Sequence, residues 1–296
     1  MFKFFKINLL NTRLRNLSDS NQAVVGIVVA VLLIGLLVTV LSVVQLVYVP
    51  NWMEETESEH IDEVFNQFCQ LKLVIDTQTA INKPFTPIVT SINLGTNKIP
   101  FFMSNQAAGS LDIINDACSI NISYRNETNQ LNFKDYSLGV IRFTAVNAYY
   151  IPDQRISFIY ENGALITNQI VNSEGRNALN IAPSFKYDGG YTVIFNMVDI
   201  SGIGGKISKY GYDIEHIRTE LEYTKNEIIV NVTTLKITTD YPDVWSSFIG
   251  TELGGAANVV KFGNIVTVTF TSTKDINIVM NLAVIDAQIG PGWVET

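Results

Sequence analysis

The chain has 296 residues, few of them charged, and a formal net charge of −8. Four basic residues against Asp19 give the first 50 residues +3, which leaves −11 for the rest. Such acidity disfavours nucleic acid as a partner, because phosphate binding needs basic clusters. About 245 residues beyond the first 50 suffice to bury a core as one domain or two small ones.

Residues 1–21 open with MFKFFKINLL and carry Lys3, Lys6, Arg13 and Arg15. They read as a basic leader, either a short helix along a membrane surface or a disordered segment. Residues 22–50 follow without a charge; Thr39, Ser42, Gln45 and Tyr48 are polar interruptions in an apolar run. A hydrocarbon span needs about 20 such residues, so a tilted or protruding transmembrane helix is expected. A cleaved secretory signal fits less well, since its apolar region runs to about 7–15 residues before a small-residue cleavage site. Gly26, Ala30 and Gly35 are candidate positions for close helix association, although no GxxxG is present. A lone anchor and lateral self-association both remain open.

The far flank is acidic, with Glu54, Glu55, Glu57, Glu59, Asp62 and Glu63. The positive-inside rule then places the leader in the cytoplasm and the C-terminal part outside a single-pass cell membrane protein. Tyr48 and Trp52 suit the outer interface. From 51 to 80, Ile61, Val64, Phe65, Phe68, Leu71, Val74 and Ile75 recur at three- and four-residue spacing, which predicts an amphipathic stalk helix. Thr79, Asn82, Pro84 and Pro87 end it.

From 88 to 290 the period shifts toward two, and Val- and Ile-rich runs alternate with Gly, Asn and Pro, which predicts a β-rich, sandwich-like domain. Strands are expected over 88–94, 118–124, 130–134, 138–147, 155–160, 163–169, 191–199, 217–223, 227–238, 259–262, 264–271 and 275–286. Glu161-Asn162-Gly163 is the clearest hairpin signal, with Asp188-Gly189-Gly190 and Phe262-Gly263-Asn264 as further turns. SGIGGKISK at 201–209 reads as a loop, since it lacks both phosphate-loop patterns. A short helix is expected after Asp240 as cap and Pro242 in the first turn, with Val244, Trp245, Phe248 and Ile249 as its apolar face. GPGWVET reads as a surface tail. The fold class is therefore α+β.

Cys69 and Cys118 fall in the exported part, where a disulfide between them is expected; two buried free thiols are the alternative. Asn121, Asn126 and Asn231 head three sequons and are candidate glycosylation sites. His60 is expected in solvent and His216 at the surface or in a structural role. No short zinc-ligand pair exists, there is no GxSxG elbow, and the acidic pairs Asp213/Glu215 and Asp240/Asp243 lack a dense calcium loop. Glu220 and Glu222 alternate on one strand and suit a solvated face. No cofactor, metal site or enzymatic activity is expected.

The segment SDSNQAVVGIVVAVLLIGLLVTVLSVVQLVYVPNW, followed by an acidic amphipathic helix and a strand-rich domain, resembles archaeal type IV pilin-like membrane proteins. The resemblance is carried by the first 80 residues and by Asp240-Tyr241-Pro242-Asp243-Val244-Trp245. It implies an apolar N-terminal helix that can pack with like helices beneath an outer β-rich head. Two positions depart from the pilin pattern: Ser20-Asn21 precede Gln22 where a small residue is usual, and Val24–Val28 contain no glutamate. The resemblance thus implies a pilin-like surface protein, structural or adhesive, with the bilayer and either copies of itself or other pilin-like subunits as partners. A membrane-anchored binding module for a sugar, peptide or protein, using Tyr149, Tyr150 or Trp245, is the alternative.

Overall fold

The computed structural model describes residues 20–96, 107–147, 149–150, 155–171, 174–271 and 276–290. The leader before Ser20 and the tail after Gly290 lie outside the described residues. The chain divides into two compact units, Met1–Trp52 and Met53–Thr296.

In the first unit, helix α1 (Ser20–Val43) gives way to a π-helical turn (Val44–Tyr48). Hydroxyls in this run would be costly in hydrocarbon, and the helix satisfies them itself. Thr39 Oγ1 donates to the Gly35 carbonyl and Ser42 Oγ to that of Val38, both at 2.8 Å.

Helix α2 (Val49–Ile81) supplies the second unit with its one long helix. Its buried positions there include Met53, Glu57, His60, Val64, Phe68, Leu71, Ile75 and Gln78, flanked by Thr56, Ile61 and Lys72. That three- and four-residue spacing makes one continuous stripe. The helix ends where Asn82 adopts φ +53°.

Among the described residues thirteen strands follow: β1 (Ile88–Asn93), β2 (Ala108–Arg125), β3 (Leu131–Val146), β4 (Arg155–Glu161), β5 (Ala164–Val171), β6 (Glu174–Ile181), β7 (Phe185–Tyr187), β8 (Thr192–Gly202), β9 (Ser208–Gly211), β10 (Ile214–Thr238), β11 (Ala257–Phe262), β12 (Ile265–Phe270) and β13 (Ile276–Ile289). Helix α3 (Pro242–Leu253) and a 3₁₀ turn (Gly254–Ala256) separate β10 from β11. All thirteen strands belong to one hydrogen-bonded sheet with the central order β6-β5-β4-β3-β2-β10-β13-β8-β7. The pairings are antiparallel except for β13 with β8, which is parallel.

Two hydrophobic cores use opposite faces of this one sheet. Leu111 and Ile113 of β2 pack in the core beneath α2, whereas Cys118, Ile120 and Ile122 of the same strand pack in the other. The changeover falls where β2 and β3 slip register between Ile114 and Cys118, with Asp116 at φ +56°. Strand β10 behaves alike: Ile217 and Leu221 lie in the α2 core and Ile229 to Ile237 in the other, with irregularities at Leu221/Tyr223 and Ile229/Val232. Bulges of this kind let a long strand turn a corner while keeping its ladder. The expected sandwich is thus a single sheet whose long strands serve both cores.

The edge of β8 beyond β7 is stitched back toward β2, β3 and β4 by side chains. Val198 N donates to Asn162 Oδ1 at 3.0 Å, Gly202 N to Asn115 Oδ1 at 2.8 Å, and Gly139 N to Asp199 Oδ1 at 2.9 Å. Gly139 permits this approach, because a Cβ there would stand 1.9 Å from the Ile200 carbonyl oxygen.

The Asn162-Gly163 turn has positive φ at both residues, +47° and +78°, the pattern of a type I′ hairpin. At Gly263-Asn264 only Gly263 is positive, as a type II′ turn requires. Helix α3 starts at Pro242 as expected, but Tyr241 is its N-cap and no side chain caps it, so Asp240 does not take that role. Trp245 is fully buried, as are Val244 and Ile249.

Candidate functional site

Helix α1 exposes its apolar side chains in the isolated chain, among them Leu32, Leu33, Ile34 and Leu36. It begins the one helical run among the described residues that is long and apolar enough to cross a membrane. At 100° per residue, Gly26 and Ala30 share a face, whereas Gly35 points well away from both. A Cβ added at Gly26 or Gly35 would meet nothing within 4 Å, so neither glycine is explained by packing within the chain.

The expected disulfide is absent: Cys69 and Cys118 are free. The reason is the two-core arrangement. Cys69 on α2 packs against the core beneath that helix, whereas Cys118 belongs to the core on the opposite face of the sheet. Burial pushes the Cys118 thiol well above its usual range, reinforced by the Glu161 and Asp240 charges.

His60 is also corrected. It is buried rather than solvated, because it sits on the stripe that α2 turns to the sheet. Its Nε2 lies 2.9 Å from the Asn93 carbonyl, to which it donates, and burial lowers its pKa despite nearby Glu63 and Glu57. Glu57, one turn earlier, accepts from the backbone N–H groups of Tyr149 and Tyr150 at 2.9 and 2.6 Å. Gln78 donates to the Thr219 and Thr86 carbonyls. These polar groups on a buried stripe satisfy backbone that the sheet leaves unpaired. His216 is exposed and meets Ser91 Oγ at 3.0 Å. Glu220 is buried and Glu222 exposed, so the expected solvated pair is only half realised.

The three sequons fall in different settings. Asn121 lies within β2, its amide donating to Asp135 Oδ1 at 2.6 Å. Asn126 opens the β2–β3 turn, and its Oδ1 accepts from the Thr128 hydroxyl and two backbone N–H groups. Asn231 occupies the β10 irregularity at φ +57°.

Behind Trp245 lies a buried carboxylate that the sequence does not announce. Glu161 Oε1 accepts from the Thr239 hydroxyl at 2.7 Å and the Trp245 indole at 2.5 Å. Burial pushes its pKa up to about 7, against the pull of those two donors. The group is buried and joins the β4–β5 hairpin to α3, a structural role.

The cavity of greatest chemical interest has a volume of about 730 Å³. One wall is the end of α2, with Lys72, Asp76, Thr79 and Asn82, and the other is the segment Ile181–Ser184. Its floor is the stretch of sheet just past the end of the helix. There Asn196 of β8 pairs with Asn281 of β13, and Asn281 pairs with Asn226 of β10. Three asparagines therefore stand side by side across three strands. Asn281 Nδ2 donates to Asn196 Oδ1 at 2.6 Å, and Asn196 Nδ2 to Ser184 Oγ at 2.7 Å. Thr224 donates to Asn82 Oδ1 at 2.9 Å, and Lys72 pairs with Asp76 at 2.8 Å. Among the described residues no group of three or more His, Cys, Asp or Glu side chains could hold a metal ion.

The molecule thus combines an apolar helix suited to a bilayer with an extensive β-sheet domain, a membrane-helix-plus-β-domain architecture. No family model and no curated protein matches the chain.

Proposed function

We propose that this is a pilin-like cell-surface protein, held in the membrane by residues 22–50 with its N-terminus in the cytoplasm and its β-rich domain outside. Its role is structural or adhesive, as a minor component of an archaeal type IV filament system or as a permanent envelope protein. The observation that carries the reading is the stripe from Met53 to Gln78, through which a helix directly following the apolar run forms part of the core of the β domain. An apolar helix leading into a helix of the β-rich core matches the pilin-like layout on which the resemblance rests. Gly26 and Ala30, on one face, supply a surface for like helices.

The test is mass analysis of the N-terminus of protein taken from its native membrane, with protease protection of intact cells. A new terminus near Gln22 together with an external β domain supports a filament component. An intact Met1 terminus with the same exposure restricts the protein to a permanent anchor. A β domain protected inside the cell refutes the reading.

The amide-lined cavity favours a second reading, that the external domain is a binding module. Here the contacting groups are asparagines rather than the aromatic residues expected, since Trp245 is enclosed in the core.

A further inference from the structure

We propose that the cavity at the end of α2 is a binding site for a neutral saccharide, held by the asparagine row of β8, β13 and β10. This inference rests on the binding-module reading and is independent of filament assembly.

Three observations carry it. The first is register. Asn196, Asn281 and Asn226 come from strands far apart in sequence, yet they are direct neighbours across the sheet. Each amide presents two N–H donors and a carbonyl acceptor. One N–H of Asn281 and one of Asn196 are spent on the chain Asn281–Asn196–Ser184, which fixes the orientation of both amides. Each keeps its second N–H, and the Ser184 hydroxyl keeps its proton to donate. Asn226 is exposed at the end of the row and brings a whole amide. The result is a fixed line of alternating donors and acceptors, the complement of a ligand whose hydroxyls each donate and accept.

The second observation is charge. The one cation lining the cavity, Lys72, is mostly buried and already paired with Asp76 at 2.8 Å, the one lining carboxylate. An anion would have to compete with Asp76 for the mostly buried Lys72, and a cation would find only the half-exposed Asp76 carboxylate, already partnered by Lys72. A neutral ligand meets no such cost.

The third is the neighbouring row of the sheet. Two residues further along each strand, Ile194, Val279 and Ile228 form the next line on the same face, bordering the cavity rather than lining it. Ile194 and Ile228 are exposed, the latter 65%. An amide row beside an aliphatic row suits a pyranose, which turns hydroxyls to one side and a C–H face to the other. The volume of about 730 Å³ lies in the ordinary range for small-ligand sites, about 300–1,000 Å³, and takes one or two sugar units.

The experiment uses the full chain in a sugar-free detergent, with ligand-observed saturation-transfer NMR and calorimetry. The probes are methyl glycosides and disaccharides of neutral hexoses and N-acetylhexosamines, the corresponding uronic acids, and an uncharged hexapeptide. At least one neutral saccharide is expected to bind in the millimolar range or tighter. Asn281→Ala and Asn196→Ala should each weaken it about tenfold, the loss of one or two hydrogen bonds plus the orienting contact. Asn258→Ala on β11, away from the cavity, should leave it unchanged. Circular dichroism melting separates lost binding from lost fold, and Asn226→Asp gives a second variant at an exposed position that should weaken the neutral saccharide without unfolding the sheet. Binding that survives both Asn281→Ala and Asn196→Ala overturns the proposal, as does a preference for the uronic acids. Capture of the hexapeptide alone overturns the saccharide assignment while leaving a binding module. Failure of every probe to bind at about 10 mM overturns both.

Discussion

Glu161 makes the stability of the β domain depend on pH in a direction opposite to that of most acidic proteins. Its carboxyl titrates near 4.5 when solvated and is pushed up to about 7 in the fold. Between those values the folded state holds a proton that the unfolded chain releases. Stability therefore falls as pH rises through this window, and the full penalty is present above about pH 7. A shift of this size corresponds to about 3 kcal/mol. Glu161→Gln keeps the shape and an acceptor for the Trp245 indole but cannot ionise, so its stability should lack this slope. The assay is urea unfolding of the full chain in micelles at pH 5 and pH 8, followed by the β-sheet circular dichroism signal. Other groups titrate in the same range, His60 with the opposite sign, but they are common to both proteins and cancel in the difference. Glu161→Gln should gain up to about 3 kcal/mol on the wild type between pH 5 and pH 8. A difference that stays constant with pH, or that shrinks toward pH 8, would show that the carboxylate is already charged in the fold and refute the reasoning.

Three further outcomes follow from the packing. Gly139→Ala places a methyl against the Ile200 carbonyl oxygen and should destabilise by about 3 kcal/mol, whereas Gly211→Ala, with nothing within 4 Å, should change stability by less than about 0.5 kcal/mol; thermal melts of the pair decide it. His60 has a lowered pKa, so its contribution is complete above its unfolded value of 6.5 and declines as pH falls below it; His60→Gln should remove that decline in unfolding curves measured from pH 7 to pH 5. Both thiols should titrate with a disulfide reagent in denaturant without prior reduction, and in the folded protein Cys69 should react long before buried Cys118; a chain with no free thiol would contradict the two-core arrangement.

The helices were the most legible part of the chain. The spacing from Ile61 to Ile75 is a one-dimensional signal, and α2 contains it whole. Its continuation through Glu57, His60 and Gln78 was hidden, because polar residues reveal a buried position only once the backbone they serve is known. Strands with β-branched alternation, such as 155–160 and 264–271, were visible within a residue or two. Missing from the expectations were β6, with the polar sequence EGRNALNI, the three-residue β7, and β9, which starts at the end of the supposed loop 201–209. An edge strand needs little hydrophobicity, so pattern does not find it. Strand β10 read as two strands because Thr224-Lys225-Asn226 interrupts its apolar residues, yet that polar interval forms part of the cavity. The disulfide expectation failed because sequence spacing does not reveal which core each cysteine joins. The asparagine row could not be seen either, since Asn196 and Asn281 are 85 residues apart and only strand register makes them neighbours.

The core beneath α2 imposes an order of events on biogenesis. Its helical half, Val64, Phe68, Leu71 and Ile75, is synthesised early, whereas Ala283, Ile285, Ala287 and Ile289 of β13 come some 200 residues later. The parallel pairing of β13 with β8 likewise waits for the end of the described chain. A chain made from its N-terminus onward thus carries an unsheltered apolar helix face until the final strand arrives, and contacts this distant close slowly. Folding of the β domain is therefore completed only once its last strand has been made, and the interval before β13 docks is when the chain most needs a holdase or the lipid surface itself to keep it from its neighbours.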